Sequence, residues 1–248
     1  MAHGGNTPSV ELRDEADNLL VLDAGTGVVG LGEALGDYRR AVPILLTHYH
    51  WDHVQGLPFF NPLYTADQLC TVWVPRLDRA RLEPIATLFQ PPFFPLPPEA
   101  LPPTTTVEPL PAGGATVHGF EIRSQPLKHP GGALAYRIRG KAGDLVYATD
   151  HEFGDPAFDG PLAAFIIGAR ALIVDAHFTP EELPKYAGWG HSSWRQCAEF
   201  AARCDVGHLY LFHHKPGRSD ADLTAIQADA RRVFAATDAA REGHTFEV

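Results

Sequence analysis

Cysteine is scarce in this chain: there are three in 248 residues, Cys70, Cys197 and Cys204, with no CxxC spacing among them. An odd, scattered set argues against a disulfide framework, and the expectation is buried free thiols in a reducing cytoplasm. No apolar run approaches the roughly 20 residues that a membrane-spanning helix needs. The opening "MAHGGNTPSV" lacks the charged and apolar regions of a signal peptide. Basic residues are also few: 20 Lys and Arg against 30 Asp and Glu give a formal net charge of −10. That balance argues against loose binding to polyanions, because phosphate backbones are held chiefly by Lys and Arg. No internal repeat is present. The remaining composition, 45% hydrophobic and 20% charged, is that of a globular protein able to bury a substantial core.

What the chain has in quantity is histidine, thirteen residues. Four metal-ligand candidates fall within six positions in "THYHWDH" (47–53): His48, His50, Asp52 and His53. Imidazole nitrogens and a carboxylate oxygen suit Zn, Mn or Fe. Four such groups exceed the three protein ligands of a typical catalytic zinc, which points to two ions. Further ligands must come from elsewhere. The candidates are His129, Asp150, His151, His177, His191, His213 and His214, each following an apolar strand or preceding a helix. His3, His118, His208 and His244 read as ordinary.

The apolar runs at 18–25, 41–48, 69–75, 115–127, 133–140, 144–150, 171–178 and 208–214 read as strands, punctuated by Gly, Pro or Asp. "KAGD" reads as a hairpin loop between two of them. Helices are expected at 27–36, 76–89, 192–204 and 219–239. Ser192 or Ser193 would cap the third, and Ser219 or Asp220 the fourth, whose apolar stripe is Leu223, Ile226 and Ala230. The proline-dense stretch 90–112 can be neither helix nor central strand. It reads as a stiff connection, or as a lid presenting Phe93 and Phe94.

"THYHWDH", followed by His129, Asp150 and His213, resembles the metallo-β-lactamase-fold hydrolase superfamily, whose H-x-H-x-D-H signature it matches in full. The resemblance covers nearly the whole chain. It implies an α/β (α+β) architecture: a four-layer αββα sandwich with two mixed β-sheets, a single domain over 1–248, and a dinuclear site along one edge. It implies that His48, His50 and His129 hold one divalent ion, that Asp52, His53 and His213 hold the other, and that Asp150 bridges both. Zn is the first expectation for the metal, with Mn or Fe suited to the same donors. His213 is preferred to His214 because it ends the run "LYLFH" where the resembling family places its last ligand, and His214 would point the opposite way on a continuing strand.

A bridging Asp150 is unlike the true zinc β-lactamases. "KHPGGALAYRI" and "GHSSWRQCAEFA" resemble the phosphodiesterase side, including the tRNA 3′-processing ribonucleases and cyclic-phosphate phosphodiesterases. There a His before a Ser- or Thr-led helix serves the reaction; here that residue is His191. Asp23 in "LVLDAG" matches the Asp that supports the metal loop. The implied activity is hydrolysis of a small or cyclic phosphodiester or a nucleic acid end, with Asp52 and His191 as catalytic residues. The alternatives are a hydrolase of a lactone, thioester or β-lactam, or a non-catalytic metal or ligand sensor. The long arm that grips tRNA in the ribonuclease relatives has no evident counterpart, and no basic cluster replaces it, so extended nucleic acid is not expected as a partner. No membrane partner is expected, and a homodimer is compatible with the resemblance. Lys215 stands where relatives often carry an acidic residue; Lys215 or Arg218 either contacts a substrate phosphate or is solvated. The first strand and glycine-rich turn usual in relatives are not evident.

Overall fold

The computed structural model describes residues 2–75 and 83–248. They form two compact units, Asn6–Glu121 and Ile122–Val248, the second joined by the N-terminal residues up to Gly5.

In the first unit, short apolar segments make a five-stranded sheet. Its strands are β1 (Val10–Arg13), β2 (Leu19–Leu22), β3 (Val42–Leu45), β4 (Cys70–Val74) and β5 (Thr105–Pro109), in the order β1-β2-β3-β4-β5. β1 is antiparallel to β2 and every other pair is parallel. The parallel interior explains the unalternated sequences: "LLVL" and "VPIL" are buried at all four positions. Helix α1 (Gly27–Leu35) follows β2, the four-residue α2 (Trp51–Val54) follows β3, and α3 (Glu83–Leu88) precedes the proline-dense stretch. Residues 76–82 of the expected 76–89 helix lie outside the described residues. The core gathers Leu19, Val21, Ile44, Leu46, Phe60 and Val72. The stretch 90–112 ends in β5, an edge strand, which is where proline is tolerated. Phe94 packs edge-on against Phe59 and Phe89, while Phe93 stays exposed. The unit closes with β6 (Gly114–Val117).

The second sheet has the order β12-β11-β10-β9-β8-β7-β6. β7 (Phe120–Leu127) carries the boundary between the units; β8 (Ala133–Ile138) and β9 (Leu145–Ala148) are joined through the expected "KAGD" loop. β10 (Ala171–Asp175), β11 (Leu209–Phe212) and β12 (Thr237–Ala239) lie parallel to β9 and to one another, whereas β7 and β8 are antiparallel neighbours. Helices α4 (Pro156–Ile166), α5 (Trp194–Arg203) and α6 (Asp220–Val233) pack on this sheet's own core of Val146, Leu172, Val174, Trp194, Leu211 and Leu223. Ser193 and Ser219 cap α5 and α6 through reciprocal capping boxes with Gln196 and Asp222.

Three expectations shift. The run 115–127, read as one strand, divides into β6 and β7 around His118 and Gly119, which both take positive φ. The last helix stops at Val233 because the chain turns into β12. α4 was not expected, since its "DGP" interior argues against helix; Asp155 caps it and Pro156 occupies the first turn, where a missing N–H costs nothing. The chain thus has two mixed sheets, each with its own helices, the α/β metallo-β-lactamase fold. No helix among the described residues is long and apolar enough to cross a membrane.

Candidate metal centre

In the first unit, β2 and β3 run parallel and deliver Asp23 and Thr47 to the same edge. Asp23 has φ = +58°, a left-handed turn that swings its carboxylate back under the following loop. It accepts from the Thr47 N–H at 2.7 Å and the Thr47 hydroxyl at 2.9–3.0 Å, and its Oδ2 lies 2.9 Å from His53 Nδ1. His48 Nδ1 lies 3.0 Å from Thr47 Oγ1. Helix α2 begins after His50 and turns Asp52 and His53 toward the same side, with His53 Nε2 3.6 Å from Asp52 Oδ2. The His48 ring sits 4.6 Å from His50 and 4.2 Å from His53, centroid to centroid. Asp23, His48 and His53 are buried, Asp52 is half-buried and His50 is exposed. Gly56 allows the loop to close: a Cβ there would lie 2.1 Å from the Gly25 carbonyl oxygen.

In the second unit, β9, β10 and β11 end together, as parallel strands do, and present chemistry at their C-terminal ends. Asp150 follows β9 with φ = +60° and His213 follows β11 with φ = +51°. The Asp150 carboxylate faces two imidazoles with different oxygens: Oδ2 is 3.5 Å from His129 Nε2, and Oδ1 is 3.5 Å from His213 Nε2. His129 Nδ1 lies 2.9 Å from the Gly190 carbonyl oxygen. His213 is the member of its pair that faces Asp150, and it does so because β11 has ended and the backbone turns, not because a strand continues through His214.

His191 has a partner that sequence reasoning missed. Asp175, fully buried at the end of β10, lies 3.1 Å from His191 Nδ1 and accepts from the backbone N–H groups of His151 and Ser192 at 3.1 and 3.2 Å. The available signal was an Asp closing the all-apolar "ALIV", the same pattern as Asp23 after "LLVL". His177 stacks on His191 at 4.4 Å and 13°, and its Nδ1 lies 3.0 Å from the His213 carbonyl oxygen. His177, His191 and His213 bring one ring nitrogen each within 4.8 Å of the others. Burial, with His191 and His213 adding to it, pushes His177 down to about 4, so its ring is neutral near pH 7.

Other histidines and cations, candidates or not, are engaged elsewhere in the fold. His151 takes a hydrogen bond from the Lys128 N–H on Nδ1, and its Nε2 lies 3.1 Å from Asp159. His208 pairs with Asp238, and His118 occupies a turn with φ = +45°. Lys215 and Arg218 both bind Glu182, which with the Thr179 N–H holds that carboxyl at about 2 against the opposing effect of burial.

The donors suit divalent ions. His48, His53 and His129 each engage Nδ1 with a neighbouring oxygen, which fixes the ring and leaves Nε2 to face an ion. Bonds of about 2.0–2.1 Å would set two donors on one tetrahedral ion about 3.3–3.4 Å apart. The 3.5–3.6 Å separations around Asp52 and Asp150 are close to that and too long for hydrogen bonds.

Comparison with known proteins agrees. The family model described as "Beta-lactamase superfamily domain" matches residues 18–214. A ribonuclease Z of Bradyrhizobium sp. (strain ORS 278) is 28% identical, over 95% of this chain and 92% of that protein. Among solved structures, the metallo-beta-lactamase fold protein YhfI from Bacillus subtilis covers 99% of this chain and 96% of its own, with a TM-score of 0.75 at 20% identity. Human tRNase Z, short form, covers 84% and 86% with a TM-score of 0.59, also at 20% identity. These findings correct one expectation. Extended nucleic acid was set aside because of the net charge of −10 and the missing arm, yet relatives that match over most of their length, the Bradyrhizobium protein among them, are ribonucleases Z. Net charge sums the whole surface and leaves out bound cations, which reverse the local field where a phosphate is held. The chain belongs to the beta-lactamase superfamily, as a metal-dependent hydrolase of the metallo-β-lactamase fold on the ribonuclease Z-like side.

Proposed function

We propose that the protein is a dinuclear phosphodiesterase that cleaves a nucleic acid end, RNA foremost, or a smaller or cyclic phosphodiester. In this reading the two units work as one domain, which the family match across 18–214 supports. His48, His50 and His129 would hold one ion and Asp52, His53 and His213 the other, with Asp150 between them. The observation that carries the reading is the Asp150 carboxylate, whose two oxygens each stand 3.5 Å from a different histidine Nε2. A carboxylate serving one ion would turn both oxygens, or one alone, to a single set of donors.

Two bound divalent ions, Zn first, supply neutralisation of the phosphate charge and acidification of water. The chain's own residues do the rest. Asp52 orients the attacking water in line with the leaving oxygen. His191, held through Nδ1 by Asp175, delivers a proton from Nε2 to the leaving alkoxide. His177, kept neutral, braces the His191 ring by stacking. The free, buried thiols of Cys70, Cys197 and Cys204 fit a reducing cytoplasm.

Metal analysis of the purified protein, followed by a substrate panel with Zn, Mn or Fe restored, tests this. The panel sets an RNA oligonucleotide and an activated phosphodiester against a lactone, a thioester and a cephalosporin. Two metal equivalents with phosphodiester turnover are expected, and Asp150→Ala should lose metal. Turnover confined to the carbonyl substrates, or one equivalent that survives Asp150→Ala, would overturn the reading.

A further inference from the structure

Ahead of His191 the chain reads "AGWGH" (187–191). Gly188 and Gly190 both take φ = +85°, and their N–H groups donate to the two oxygens of one carboxylate, Glu152, at 2.8 and 2.7 Å. The Gly190 carbonyl is tied to His129, and a Cβ at Gly190 would lie 2.1 Å from His129 Nδ1. The loop is therefore clamped to a proposed metal ligand on one side and runs into His191 on the other.

Between the two glycines Trp189 stands 61% exposed. It is not a side chain left loose on a surface. Its ring sits edge-on to Tyr186 at 5.1 Å, and Tyr186 is stacked on Phe178 at 4.5 Å and 4°. Phe178 is buried and hydrogen-bonded through its backbone to Ser192 and Trp194. Lys215 Nζ lies 4.9 Å from the Tyr186 ring centre, fixed there by Glu182. The chain thus builds a rigid aromatic ladder from its core outward and ends it in an exposed indole, two residues (at most about 7 Å of backbone) from His191. A purely structural tryptophan would be turned inward to bury its large apolar surface. A pre-set aromatic face beside a phosphodiester site is what a nucleobase needs, since every base has a face to stack and the stack is indifferent to sequence.

We propose that Trp189 is the stacking platform for the base of a nucleotide flanking the scissile bond, so that the substrate is a base-bearing phosphodiester and not a base-free ester. The proposal rests on the phosphodiesterase reading. Lys215 and Arg218 share the single carboxylate of Glu182, so this cluster beside the ladder keeps one net positive charge for the adjoining phosphate.

The test uses the metal-loaded protein, an RNA oligonucleotide, and the same oligonucleotide with an abasic residue next to the cleaved bond. Trp189→Ala should raise KM for the intact RNA by roughly 5- to 150-fold, the cost of one base–aromatic stack, with kcat and metal content held. Trp189→Phe should recover most of that loss. The abasic substrate should raise the wild-type KM by a similar factor, and the two changes should not add. Equal KM for wild type and Trp189→Ala on intact RNA, or full additivity with the abasic change, would overturn the proposal. If the wild type cleaves no phosphodiester, the phosphodiesterase reading falls on its own. Equilibrium binding of the intact and abasic oligonucleotides to the wild type and Trp189→Ala then decides the role of Trp189, with equal affinities for both proteins counting against it.

Discussion

Replacing Asp23 by asparagine should separate the protein's stability from its grip on metal. Asp23 is fully buried, with Thr47 donating to Oδ1 and the His53 Nδ1–H pointing at Oδ2. Because His53 donates from Nδ1, its Nε2 keeps the lone pair that a metal requires. Asparagine has the same shape and tolerates the +58° backbone. With its oxygen kept toward Thr47, its amide nitrogen faces His53 Nδ1, a donor against a donor. The ring relieves this by moving its proton to Nε2, which blocks the nitrogen meant for the ion. The fold loses one hydrogen bond to a charged group, about 1.5–3 kcal/mol. Metal affinity falls about 10–100-fold, the usual cost of losing such an orienting partner. Alanine is the poorer probe: it strands three buried donors at about 1–3 kcal/mol each, enough to unfold a marginal protein before any metal is measured. The assay is urea unfolding in EDTA for the first quantity and zinc titration against a competing chelator for the second. Asp23→Asn with its fold intact and wild-type zinc affinity would refute the idea that Asp23 sets the His53 tautomer.

Three further outcomes are expected. His191→Ala should keep its metal and lose about 10²- to 10⁴-fold in turnover; Asp175→Asn should lower kcat with KM held, and a fall in metal content instead would show that this pair is structural. Glu182, at about 2 against 4.5 for a free glutamate, contributes stability that is present above pH 4.5 and lost as pH falls toward 2. Acid unfolding of Glu182→Gln should therefore differ from wild type above pH 4.5 and converge with it only as pH falls to about 2, and a constant offset across that range would contradict the assignment.

The cluster of candidate ligands was visible because it is local: four possible donors within six residues need no tertiary knowledge. The buried parallel strands were legible because they are apolar throughout, and α5 and α6 because Ser193 and Ser219 announce them. The edges were not. β1 ("VELR"), β5 ("TTVEP") and β12 ("TDA") are short and mixed in polarity, and they exist only because a neighbouring strand offers hydrogen bonds. Asp175 was missed because its meaning lies in His191, sixteen residues later, across a loop. His213 was chosen because it ends the run "LYLFH"; the added argument from strand alternation does not apply, since β11 stops at Phe212. The whole-chain charge misled on nucleic acid because recognition is a property of one edge, not of the sum.

Asp23, Asp150 and His213 share a feature beyond chemistry: each ends its strand in the left-handed region with φ of +58°, +60° and +51°. Non-glycine residues rest there at a conformational disadvantage on the order of 1 kcal/mol each. A glycine at Asp150 or His213 would relax the backbone and delete one of the proposed metal donors, whereas at Asp23 it would strand the buried groups of Thr47 and His53. Laboratory selection for heat resistance alone, with no demand for turnover, would therefore drift toward removing Asp150 and His213, while keeping Asp23 for the three buried donors it satisfies. Variants recovered from such a selection would trace the site by its erosion.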